Sequence, residues 1–158
     1  MQFLEFYTND INNINNLLYQ VHKVHSDGRN DIFKEGMKKY SSEDVVEIIN
    51  NPDKPIFVYE ENNIVVGYAF CVIKQIKNNS SLVDRIELYI DDLCVDSNYQ
   101  GKGIGTKLYN YVKEYANQIN ADSVTLNVWC FNEKAMKFYQ KLGLKPLKVI
   151  MEDNIKSH

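Results

Sequence analysis

Apolar residues in the first part of the chain recur every three or four positions: Ile11, Ile14, Leu17, Leu18, Val21 and Val24. That spacing places them on one face of an amphipathic helix, opened by Thr8-Asn9-Asp10. Residues 3–7 ahead of it alternate and read as a first strand. A polar stretch from His25 to Asp31, with Asp27-Gly28 as a turn, leads to a second helix. Ser41 and Ser42, followed by Glu43 and Asp44, form an N-cap signal for a helix running through Ile49, and Asn51-Pro52 ends it.

The period then shortens. Ile56–Tyr59 and Ile64–Ile73 flank Glu60-Glu61-Asn62-Asn63, the pattern of a β-hairpin. A polar loop from Lys77 to Ser81 precedes a third strand, Arg85 to Val95. Ile104, Leu108, Val112, Tyr115 and Ile119 then follow one helical face. Ser123 to Trp129 reads as a strand, and Ala135 to Leu142 as a helix stopped by Gly143 with Pro146 soon after. A closing strand would complete a β-α-β-α-β order. This pattern predicts one domain over residues 1–158 of the α/β (α+β type) class, with helices on both faces of a sheet.

Composition narrows the function. With 18 basic and 21 acidic residues in 158, the charge is −3, and 44% of residues are hydrophobic. Such a chain closes a core, which excludes disorder, collagen and coiled coil. The near-neutral balance argues against a nucleic-acid partner, which selects for a basic stripe. No apolar run reaches membrane-spanning length, and the opening Met1 to Phe6 does not read as a signal peptide. Cys71, Cys94 and Cys130 are odd in number and widely spaced, which fits reduced thiols in a cytoplasmic protein with no metal.

Glycine is scarce, yet three of the seven residues lie together in Gln100-Gly101-Lys102-Gly103-Ile104-Gly105-Thr106, between a strand and a helix. Glycines at such a turn let the backbone approach a ligand, and the first N–H groups of the helix then offer an anion site. A Walker A frame is absent. The dinucleotide fingerprint fails too, because Thr106 or Leu108 stands where its third glycine belongs. A tight turn without a ligand is the alternative.

The wider pattern is more specific. Gln100-x-x-Gly103-x-Gly105, following Leu93-Cys94-Val95, closely resembles the acetyl-CoA signature of the GNAT acetyltransferase superfamily, [RQ]-x-x-G-x-[GA]. Asn132-Glu-Lys-Ala135-Met-Lys-Phe138-Tyr139-Gln-Lys141-Leu-Gly143 resembles a second element of that family, with Leu144 where phenylalanine is usual. The resemblance covers residues 56–150 well and the helix-rich start loosely. It implies the GNAT fold, a mixed, mostly antiparallel sheet, and acetyl-CoA as cosubstrate. The CoA pyrophosphate would lie on Gly101, Lys102, Gly103, Ile104, Gly105 and Thr106, with Gln100 helping to anchor it. The pantetheine arm would run beside Leu93, Cys94 and Val95 like an added strand. Asn132 would touch that arm, and Lys141 would lie near phosphates. Tyr139 occupies the position of the acid that protonates the departing thiolate.

An amine acceptor has to be neutral to attack a thioester. With a lysine-like pKa of ~10.4, only about one amine in a few thousand is neutral at pH 7, so a carboxylate base helps. The strand holds three, Glu87, Asp91 and Asp92, with Asp91 and Asp92 ranked equally ahead of Glu87. Strict alternation puts Glu87, Tyr89, Asp91, Leu93 and Val95 on one face and Leu88, Ile90, Asp92 and Cys94 on the other. A bulge, common in this strand of the family, would shift that phase. Cys94 has no histidine placed to activate it and is not a nucleophile.

The connection between the first two helices usually walls the acceptor site in this fold, which nominates His25, Arg29 and Phe33. The acidic strand and the negative charge favour a cationic primary amine, on a small molecule, peptide or protein. The expected activity is direct N-acetyl transfer. The alternative is a GNAT-like module that senses CoA without turnover. A homodimer stays open.

Overall fold

The structure, a computed structural model, describes residues 8–156. The chain falls into two compact units, Met1–Asn127 and Val128–His158. The first strand expected at residues 3–7 lies outside the described residues.

In the first unit, helix α1 spans Thr8–Gly28, four residues beyond Val24. Its last turn is held by a Lys23–Asp27 ion pair at 2.8 Å and by the Ser26 hydroxyl on the Lys23 carbonyl, with His25 favourably placed near the C-terminal dipole. The expected polar connection therefore begins later, at Arg29, and His25 belongs to the helix. Helix α2, Ser42–Ile49, starts in a complete capping box: the Ser41 hydroxyl accepts from the Asp44 amide, and the Asp44 carboxylate accepts from the Ser41 amide.

Strands β1 (Ile56–Glu61) and β2 (Ile64–Ile76) form the expected hairpin. Asn62 and Asn63 both take left-handed φ values of 53° and 60°, which suits a two-residue hairpin turn. Strand β3 spans Arg85–Val95, helix α3 Ile104–Gln118 and strand β4 Ser123–Leu126. The sheet runs β1-β2-β3-β4, antiparallel except for the parallel β3–β4 pair.

Consecutive strand residues face opposite ways, and two neighbours on β1 show what covers each face. Val58 joins a core with Ile14, Leu17 and Leu18 of α1, Val45 and Ile48 of α2, and Tyr68 and Phe70 of β2. Phe57 instead meets the rings of Tyr111 and Tyr115 on α3. Helices α1 and α2 thus cover one face and α3 the other, as the sequence pattern predicts. Gly67 lets α3 come close. A Cβ there would stand 3.0 Å from Leu108 Cδ1 and 3.1 Å from the Cys94 carbonyl oxygen.

Two expectations are corrected. β4 stops at Leu126, not Trp129, because β3 pairs with it only from Glu87 to Ile90 before bending away at a bulge. In the second unit, α4 spans Glu133–Lys141, but residues 144–154 form no strand among the described residues. The expected closing strand is therefore not formed among the described residues.

Candidate active site

The bulge in β3 decides which carboxylates share a face. Phe70 pairs with Asp92 while the next residue, Cys71, pairs with Ile90, so Asp91 is the extra residue. Alternation up to Asp91 keeps Glu87, Tyr89 and Asp91 together, and the bulge then brings Asp92 and Cys94 to that same side. Directly opposed residues share a face, and Asp92 and Cys94 oppose Phe70 and Tyr68, both in the core beneath α1 and α2. Leu93 and Val95, opposite Ala69 and Gly67, turn to the α3 side. The strict alternation expected from sequence is therefore overturned beyond Asp91.

The two adjacent carboxylates are held differently. Asp91 accepts a short hydrogen bond from the Tyr40 hydroxyl and an ion pair from Lys39 Nζ at 3.1 Å. Lys39 Nζ also donates to the Asp91 carbonyl oxygen at 3.1 Å. Tyr40 is itself fixed by stacking on Phe70. Asp92 is buried, and its Oδ2 accepts from the Tyr68 hydroxyl at 2.8 Å. Burial pushes the Asp92 carboxyl up to about 6, although the Tyr68 hydrogen bond and the Lys39 charge pull it back. Burial also raises Tyr40 and Tyr68 well above the usual phenol range. At neutral pH both phenols are donors.

Past the bulge β3 has a paired neighbour on one side only among the described residues. Its pairing with β2 continues to Val95, whereas its pairing with β4 ends at Ile90. Leu93, Cys94 and Val95 therefore have no β4 residue paired with them. The chain then makes a short 3-10 turn, Ser97–Tyr99, capped by the Asp96 side chain on the Asn98 amide. Gln100 reaches back, its Nε2 donating to the Val95 carbonyl at 3.3 Å.

Gly101 and Gly103 then take left-handed φ values of 81° and 76°, and Gly103 is the N-cap of α3. No side chain caps that helix, and a Cβ at either glycine would meet nothing within 4 Å. The first intrahelical bond joins the Lys107 amide to the Gly103 carbonyl. The N–H groups of Ile104, Gly105 and Thr106 precede it and have no acceptor within the helix. Open space beside backbone donors at a positive dipole end fits a phosphate group. Lys102 stands at its edge, with Nζ 4.8 Å from the centre of the Tyr99 ring.

Other nominated residues sit elsewhere or do other work. Glu87 accepts from the Thr125 hydroxyl, four residues before Asp91, or about 13 Å along the strand. His25, Arg29 and Phe33 do gather: His25 and Phe33 ring centres are 5.2 Å apart, and His22 closes on Phe33 at 5.8 Å. Burial, then His22 and Lys39, hold His25 below the usual imidazole range. Arg29 is paired with Asp31 at 2.7 Å. Cys94 is buried with its thiol pushed up by burial and directed at the Leu17 carbonyl, consistent with an inert cysteine.

In the second unit, Asn132 caps α4, its Oδ1 accepting from the Ala135 amide at 3.2 Å. Tyr139 is half-buried and its ring packs on Phe138, while Lys141 is exposed in the last turn. Sequence reasoning missed Lys39, Tyr40 and Tyr68. Only Tyr68 carried a signal, since a tyrosine inside an apolar strand needs a partner for its hydroxyl.

The profile of the acetyltransferase (GNAT) family matches residues 18–144, and the chain belongs to that family. It is 32% identical over 103 residues to an uncharacterised N-acetyltransferase of Methanocaldococcus jannaschii, covering 65% of this chain and 44% of that protein. It is 31% identical over 103 residues to the thialysine N-epsilon-acetyltransferase of Bos taurus, covering 65% and 55%. The chain thus spans about half the length of the curated relatives it matches. Among solved structures, a tetramutant of the BH1408 protein of Bacillus halodurans superposes with a TM-score of 0.92 at 27% identity, covering 98% of this chain and all of that one.

Proposed function

We propose that the protein transfers the acetyl group of acetyl-CoA directly to a primary amine, with Asp92 as the base. The observation that carries this reading is the geometry of β3. One strand holds two carboxylates on one face, then an edge with no paired neighbour among the described residues, then a glycine turn into an uncapped helix. Those three features meet the three needs of the reaction: a proton acceptor, a rail for an extended arm, and an anchor for a pyrophosphate.

Acetyl-CoA supplies an acyl group activated as a thioester. The main-chain groups of Leu93, Cys94 and Val95 bind the arm as if it were another strand. The N–H groups of Ile104, Gly105 and Thr106, with Gln100 and Lys102 beside them, hold the phosphates. Asp92 takes the proton of the acceptor ammonium through a water, which frees the nitrogen lone pair to form the new C–N bond. Tyr139, in the position the family motif assigns to the acid, gives its proton to sulfur as the C–S bond breaks, and the second proton shed by the acetylated nitrogen restores the phenol through solvent. Asn132 and Lys141 contribute to cosubstrate binding by the same motif.

Asp92 is chosen over Asp91 on electrostatic grounds. Asp91 is neutralised by Lys39 and bonded by Tyr40, so its lone pairs are engaged. Asp92, raised to about 6, is ionised at pH 7 yet binds a proton about two units more strongly than an ordinary carboxylate. Glu87 lies too far along the strand.

The acceptor is a cation before it reacts, and the acidic side of β3 supports that charge. Relatives named thialysine N-epsilon-acetyltransferases point to amines of the lysine type. His25 and Phe33 supply the apolar wall. Incubating the full chain with acetyl-CoA and a panel of primary amines, and measuring free thiol, tests the reading. Thiol release that depends on one class of amine supports it; CoA binding with no release across the panel leaves a sensor.

A further inference from the structure

Lys39, in the connection between α1 and α2, brings a primary ammonium to the carboxylates of β3. Its Nζ lies 3.1 Å from Asp91 Oδ1 and donates to the Asp91 carbonyl oxygen at 3.1 Å. The same Nζ stands 5.6 Å from the centre of the Tyr40 ring, within cation–π range. A carboxylate oxygen, a main-chain carbonyl oxygen and an aromatic ring together suit a primary ammonium, which has three N–H donors and no acceptor. The groups around the nitrogen are fixed. Tyr40 is held at both ends, its hydroxyl on Asp91 Oδ2 and its ring stacked on Phe70. Asp91 is the extra residue of the β3 bulge, which puts it on the same face as Asp92. The ammonium also acts on Asp92: burial raises that carboxyl, and the Lys39 charge pulls it back.

We propose that Lys39 sets acceptor affinity by filling an ammonium position made by Asp91 and Tyr40, from which an incoming primary ammonium displaces it. This rests on the acetyl-transfer reading, in which the acceptor arrives beside Asp92 as a cation.

Two arguments favour an exchangeable occupant over a fixed ion pair. The first is the division of labour between adjacent carboxylates. Asp91 holds the acceptor ammonium, and Asp92, on the same face, takes its proton. The second is energetic. One ammonium replaces another, so Asp91 stays compensated and no carboxylate is stranded without a partner. The competition is then set by the tether. At an effective concentration on the order of 1 mM, a tethered ammonium that binds with ~0.1 mM affinity fills the position about nine times in ten and weakens an incoming amine about tenfold. The position selects a primary ammonium on a slender alkyl stem, as Lys39 itself is. A quaternary ammonium has no N–H to give to the two Asp91 oxygens.

The test compares n-butylamine, a cation at pH 8, with trifluoroethylamine, which is mostly neutral there, as acceptors for the full chain, followed by thiol release. Lys39→Met keeps an unbranched stem and removes the charge. In that variant KM for n-butylamine should fall about tenfold, and KM for trifluoroethylamine should not follow it. An ion pair that only braces the connection predicts the other sign, because its loss loosens the acceptor wall. A KM for n-butylamine that stays or rises therefore overturns the proposal. So does an equal gain for the neutral amine, which marks cleared space rather than a vacated charge position. Should Lys39→Met fail to fold, Lys39→Gln gives the same reading. Calorimetry with n-butylamine separates this proposal from the one beneath it. If no amine releases thiol, the acetyl-transfer reading falls, while a Kd about tenfold tighter in Lys39→Met still supports the ammonium position and an unchanged Kd removes it.

Discussion

Replacing Asp92 by asparagine should make the protein more stable and nearly inactive. The carboxyl is raised from 3.8 to about 6 in the folded chain, mainly by burial. A raised acid binds its proton more tightly when folded, so its ionisation penalises the fold. Below about pH 4 both states are protonated and the penalty vanishes; above about pH 6 it is complete. Two units at about 1.36 kcal/mol each give a cost of about 3 kcal/mol at neutral pH. An amide removes that cost and keeps an oxygen for the Tyr68 hydroxyl, but loses the attraction of Lys39. Asp92→Asn should therefore gain ~1–3 kcal/mol at pH 8, or roughly 2–12 °C in Tm, and almost nothing at pH 4. Activity should fall by about 10²–10⁴-fold. The pH profile gives a second reading. Below pH 6 log kcat/KM should rise with slope one as Asp92 ionises, and above it level off until the amine itself titrates. The variant should show slope one throughout. An equal stability change at pH 4 and pH 8, or a bend near pH 6 retained in the variant, would refute the assignment.

Gly103→Ala should cost ~1–2 kcal/mol of stability from its left-handed φ of 76°, and weaken CoA binding at least about tenfold, as calorimetry would read. CoA affinity equal to the unaltered chain would remove the phosphate assignment. Gly67→Ala, with backbone oxygen 3.1 Å from the new methyl, should lose ~1–3 kcal/mol in denaturant unfolding because the methyl presses on a carbonyl of a residue paired in the β2–β3 ladder. Tyr139→Phe should lower kcat by about 10²-fold and leave CoA affinity unchanged; a drop in affinity instead would make Tyr139 a binding residue.

Much of this architecture was legible because it is local. The Ser41 capping box, the Asn62-Asn63 hairpin and the α3 face each depend on residues a few positions apart. The glycine turn was legible for the same reason. Choosing between Asp91 and Asp92 from the residues alone was not, since alternation assigns them opposite faces. One extra residue on β3, opposite the Phe70–Cys71 step, puts them on the same one. Lys39 and Tyr40 were invisible because they arrive from about 50 residues away to engage Asp91. The closing strand failed for a related reason. Residues 147–151 have the right alternation, but a strand is a pairing, and the pattern of one segment does not say which edge receives it.

The central claim is that β3 and the glycine turn form an acetyl-transfer site rather than a CoA-holding surface. The most direct measurement is the stoichiometry of turnover: free thiol and acetylated amine, quantified together, with acetyl-CoA and lysine-type amines. The account predicts amine-dependent release with one acetylated nitrogen per thiol, lost in Asp92→Asn. Saturable CoA binding without thiol release for any amine, or release that ignores the amine and the substitution, would contradict it.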